Sequence, residues 1–73
     1  MRFVVVIEKG GSNYSAYVPD LPGCVSTGAT LEEVKAEIRE AIEFHLDGMR
    51  EDVTPIPQPT SSAVYVEVGE KAA

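Results

Sequence analysis

Cys24 and His45, the only cysteine and the only histidine in this sequence, are the pair that could do nucleophilic chemistry. A thiolate activated by a neighbouring imidazole is an established catalytic device. The surroundings of both residues point elsewhere. Cys24 lies in DLPGCVSTG, between a turn and a strand, where a free cysteine commonly serves as a small buried hydrophobe. His45 falls inside the apolar stripe of a helix, where a histidine is more often a partly buried core residue bonded to a backbone carbonyl. A structural zinc needs four ligands, which one cysteine and one histidine do not supply. Two-metal hydrolytic chemistry needs clustered carboxylates. The only acids in or beside the expected strands are Glu8, Asp20 and Glu67, with no sign that they converge. Gly10 and Gly11 lack the Gly-x-Gly-x-x-Gly spacing of a phosphate loop. The expectation is a protein without catalytic residues, metal or cofactor. The alternative from another class is a small hydrolase built on Cys24 with His45 or on a carboxylate-held metal.

The elements that would position these residues follow from the pattern. RFVVVIE is a β-branched run of strand length, KGGSN carries turn residues, and YSAYVP reads as the returning strand of a hairpin. Pro19 cannot donate to a ladder, so the second strand should end there or lie on an edge. DLPG is a turn, and CVSTG a short third strand. Thr30 opens a helix through the Thr-x-x-Glu capping box with Glu33. That helix carries Leu31, Val34, Ile38, Ala41, Ile42, Leu46 and Met49 on one face. Pro55, Pro57 and Pro59 exclude regular helix from the next segment, AVYVEV reads as a last strand, and GEKAA as a frayed tail. The fold class expected is α+β, a two-layer β-β-β-α-β arrangement with a mainly antiparallel sheet and one helix on one face. Residues 1–68 form the domain and 69–73 a flexible tail.

A strand alternates its side chains between two faces. Phe3, Val5 and Ile7 therefore oppose Val4 and Val6, and both faces of the first strand are apolar. One helix covers one face only. The other is expected to be an oligomer interface through Val4, Val6 and Tyr65, in a dimer or tetramer. A chain of 73 residues is also near the size at which a single core gives marginal stability. The net charge of -6, with the six basic residues scattered, disfavours nucleic acid and suits a basic partner. The first residues are too short and too quickly charged for a signal peptide or membrane span, so a cytoplasmic location is expected.

YSAYVPDLPGCVSTGATLEEVKAEIREAIEFHLDGMREDVTPIP resembles the HicB-like antitoxin domain: a Tyr-x-Ala strand, an Asp-x-Pro-Gly-Cys turn, a Gly-x-Thr helix start and an acidic helix ending before Ile-Pro. The resemblance spans roughly residues 4–68. It implies a partial ribonuclease-H-like fold and a partner, a small basic HicA-type toxin that cleaves mRNA. It also implies a role in covering that toxin rather than in catalysis. Full-length members of the family add a C-terminal DNA-binding module, and without one no direct nucleic-acid contact is expected. Partner contacts are expected at Tyr17, Asp20, Leu21 and Pro22, because recognition residues concentrate in exposed turns, and at Phe44, a large aromatic away from the apolar stripe. The alternative binding reading is a structural homo-oligomer or small-ligand binder that has lost its toxin.

Overall fold

The computed structural model describes residues 1–70; Lys71, Ala72 and Ala73, part of the expected tail, lie outside the described residues. The elements run β1 (Val6–Lys9), β2 (Tyr14–Tyr17), β3 (Val25–Gly28) and α1 (Leu31–Glu51). The sheet is antiparallel in the order β1-β2-β3. The α+β class, with three antiparallel strands and one helix, is as the periodicity predicts.

The register explains where the sheet stops. Val6 faces Tyr17, and Tyr17 faces Val25. Immediately beyond, two β-turns run in tandem: the Leu21 amide donates to the Val18 carbonyl at 3.1 Å and the Cys24 amide to the Leu21 carbonyl at 3.0 Å. Pro19 and Pro22 occupy the second position of each turn, where their fixed φ fits. Gly23 follows Pro22 at φ 84, the positive value a type II turn demands. The Val18 amide closes the loop on the Cys24 carbonyl at 3.2 Å. With β2 ended in this way, Phe3–Val5 has no ladder partner on that side, so the first strand is shorter than its β-branched run.

The core collects under this loop. Ala16, Val18, Leu21, Cys24, Val34 and Ile38 are buried, with Phe3, Val5, Ile7, Tyr14, Ala41, Ile42 and Leu46 packed around them. The helix lies over β2 and β3. Gly28 permits that approach: a Cβ there would stand 2.6 Å from the Val34 amide nitrogen. Thr30 caps the helix, its hydroxyl accepting from the Glu33 amide at 3.1 Å. This is the Thr30 half of the expected capping box. At the other end the Val53 amide donates to Arg50 at 3.2 Å and the Thr54 amide to Met49 at 2.8 Å, a Schellman closure. Its left-handed residue is Val53 at φ 55, a conformation that strains a β-branched side chain.

The last strand expected from AVYVEV does not form. Residues 61–70 are exposed and belong to no strand, and Val64, Tyr65, Val66 and Val68 are all at least 74% accessible. Two constraints account for this. Thr60 and Ser61 are bound to Asp20, and three prolines fix the approach. The segment then passes Arg2–Val5 across a cleft of about 540 Å³, leaving the free edge of β1 unpaired. The radius of gyration, 15.2 Å, exceeds the roughly 11 Å of a compact domain this long, as an outlying arm requires.

Two glycine exchanges should move stability in opposite directions. Gly28→Ala should lower it by about 1–3 kcal/mol through overpacking against Val34, whereas Val53→Gly should raise it by up to about 1 kcal/mol by relieving the left-handed residue. Urea denaturation of the two variants reads both; a neutral Gly28→Ala would contradict the close packing of β3 on the helix.

Candidate functional site

Among the described residues Asp20 is the most heavily engaged polar side chain. Its Oδ2 accepts from the Thr60 amide at 3.2 Å and the Ser61 amide at 3.0 Å. Its Oδ1 accepts from the Thr60 hydroxyl at 3.2 Å and the Ser61 hydroxyl at 3.0 Å. The Ser61 amide, above all, holds its carboxyl below the usual carboxylate range, because donors to a carboxylate favour its ionised form. Asp20 is thus the tie between turn and arm. Leu21, expected at an exposed position, is 0% accessible and is the plug of the core. It cannot touch a partner: two successive turns point its side chain inward. Pro22 is exposed, and Tyr17 is 41% accessible on the outer sheet face.

Cys24 is buried, and desolvation pushes its thiol above the ordinary value. That environment suppresses thiolate chemistry. His45 is half-buried on the helix. Among the described residues no three His, Cys, Asp or Glu side chains gather to hold a metal ion, and no helix is long and apolar enough to cross a membrane.

The helix segregates its charges. Glu33, Glu37, Glu40, Phe44, Asp47 and Glu51 recur in steps of four and three, which about 3.6 residues per turn place along one line. All six are exposed, Phe44 to 82%. Like charges one turn apart repel, so the stripe costs the isolated helix a few tenths of a kcal/mol per pair, about 0.2–0.5. Among the described residues only the Asp47 carboxylate of this stripe has a cation, Arg50 at 2.9 Å. The stripe is an electronegative ridge with one aromatic in its middle. Reading its acids one by one as a solvated face misses it; the recurrence around Phe44 is the signal in the sequence.

On the opposite flank an apolar groove of about 640 Å³ opens between β1 and the helix, floored by Phe3, Val5, Ile7, Ile38, Ile42 and Leu46. Lys35, Arg39 and Arg50 stand on its rim, with Glu43 3.5 Å from Arg39. The outer sheet face carries a second apolar row, half-buried Val4 and Val6 with Tyr17 and Val25, the last 65% accessible. Tyr65, expected on that face with Val4 and Val6, sits instead on the arm, fully exposed, near Ile7, Lys9 and Leu31.

Comparison with known proteins gives this geometry a context. The family model described as the HicB-like antitoxin of bacterial toxin-antitoxin systems matches residues 3–72. A UPF0150 protein of Helicobacter pylori is 49% identical over 71% of this chain and 72% of its own length. A 14.9 kDa protein from the rep-hol intergenic region of Haemophilus phage HP1 is 40% identical over 96% of this chain. Antitoxin HicB 2 of Photorhabdus laumondii is 33% identical over 93% of it. The chain spans about half the length of the last two, 53% and 50%. No solved structure matches.

One titration and one labelling test follow from the site. Because the folded-state Asp20 pKa is lowered from 3.8, its stabilising contribution is complete above that value and is lost as pH falls through the depressed one. Asp20→Asn should therefore flatten the acid side of the melting temperature profile and speed exchange of the Thr60 and Ser61 amides. For Cys24, a thiol reagent should label the native chain slowly and the urea-unfolded chain at once; rapid native labelling would contradict its burial.

Proposed function

This chain belongs to the HicB-like antitoxin family, and from that premise we propose that it binds and neutralises a small basic HicA-type toxin, an mRNA-cleaving ribonuclease. Membership of an antitoxin family makes it a non-catalytic protein, so the function lies in a surface. The observation that carries the reading is the acidic ridge with exposed Phe44 at its centre. A basic nuclease surface shaped to hold RNA phosphates is complementary to a line of carboxylates, which steers encounter and relieves the repulsion along the helix. An aromatic surrounded by charge supplies the desolvated anchor such contacts need. Tyr17 and Pro22 are further contacts in this reading; Asp20 acts by holding the arm.

The same reading makes the active form a homo-oligomer in the cytoplasm. Two apolar surfaces remain open on the single chain, the outer face at Val4, Val6, Tyr17 and Val25 and the groove beside β1. Contiguous exposed apolar surface of this kind marks association sites.

The test is RNA cleavage by the product of an adjacent small basic gene, titrated with this protein. Cleavage should stop at a fixed stoichiometry. Phe44→Ala should weaken the complex about tenfold or more. Glu37→Lys with Glu40→Lys should slow association and reduce its dependence on salt. A nuclease fully active and unbound in excess protein would contradict the proposal.

A further inference from the structure

We infer that the groove beside β1 receives the C-terminal arm, residues 63–70, of a second copy of this chain, in a reciprocal exchange. The inference rests on the homo-oligomer reading above and names the segment that makes it. The arm has the required chemistry. Val64, Val66 and Val68 fall on one side of an extended segment, all 74–79% accessible, and Glu67 and Glu70 bring negative charge without any cation before Lys71.

The groove is the complement of this arm. Its floor is aliphatic and aromatic, and its rim holds Lys35, Arg39 and Arg50, three of the six basic residues of an otherwise acidic chain; Arg39 lies 3.5 Å from Glu43 and Arg50 2.9 Å from Asp47, and both pairs are exposed, so each arginine can exchange its partner for an incoming carboxylate. That rim disfavours the basic nuclease proposed for the opposite flank, which separates the two partners by charge. The chain's own arm does not fill the groove. Asp20 holds its root at Thr60 and Ser61, and only Tyr65 comes near, at the end by Leu31 and Lys9. None of the arm lines the part between Phe3 and Leu46. A twofold arrangement gives each copy one arm and one occupied groove, and so closes. The buried valines and the bound edge of β1 would also remove the exposed apolar strand that invites aggregation.

The experiment uses the full chain. A nitroxide is attached in the native state to Gly69→Cys, on the side of the arm away from the three valines and with open space around it, where buried Cys24 does not compete, and the labelled copy is mixed with an unlabelled copy enriched in nitrogen-15. Sedimentation should report a dimer, and the amides of Ile7, Ile38 and Ile42 in the enriched copy should lose intensity. Glu67→Lys should weaken the dimer severalfold, and Glu67→Lys with Arg39→Glu should restore it. A dimer that broadens no groove amides, or broadens Val6 and Val25 instead, would overturn the exchange and leave the oligomer standing; a monomer would overturn both. Broadening confined to chains carrying label and isotope together would assign the groove to the chain's own arm, and an apolar small molecule retained in the native mass spectrum would assign it to a ligand. Toxin inhibition is read separately and is untouched by these outcomes.

Discussion

The tandem turn at Val18–Cys24 is the constraint on which the rest of the molecule depends. Its two sides do opposite things one residue apart. Leu21 turns inward and fills the core between the sheet and the helix, while Asp20 turns outward and takes four hydrogen bonds from Thr60 and Ser61. Apolar burial and a charge-assisted clamp thus meet in a single loop. The loop ends β2, starts β3 and fixes where the chain after the helix departs. Removing Leu21 would leave a cavity; removing the Asp20 carboxylate would release the arm while leaving the core.

From that loop the helix receives its position, and from its position its two flanks receive different surroundings. The close approach of Gly28 to the Val34 backbone seats the helix on the sheet, and Val34 and Ile38 are buried beneath it. One flank then displays carboxylates around Phe44, and the other displays cations around an apolar groove. The arrangement is costly for an isolated helix, since like charges one turn apart repel. The function proposed above gives that arrangement a use in association. In the proposed reading a basic partner and an acidic arm are directed to opposite flanks by the prevailing charge of each.

Much of this was legible in the sequence. Thr30 and Gly28 announce the helix start, Pro19 the end of β2, and Pro22–Gly23 a turn with positive φ, because each is a local steric or hydrogen-bonding demand. Three features were not legible. Leu21 reads as an exposed turn residue until the second turn reverses it, since burial depends on how two turns combine. The valines of AVYVEV have the period of a strand, but a strand also needs an edge to pair with, and the clamp at Asp20 between positions far apart in sequence decides where that segment lies. The acidic ridge was visible as Glu residues yet not as a surface, because its meaning comes from Phe44 standing among them and from cations lying on the other flank.

NMR of the nitrogen-15 chain, recorded while an unlabelled candidate toxin is added, reads the binding surface amide by amide. Shifts and broadening should follow Glu33, Glu37, Glu40, Phe44 and Asp47, with the groove amides Ile38 and Ile42 little changed. Perturbation centred on the groove, with the acidic flank silent, would contradict the proposed toxin surface.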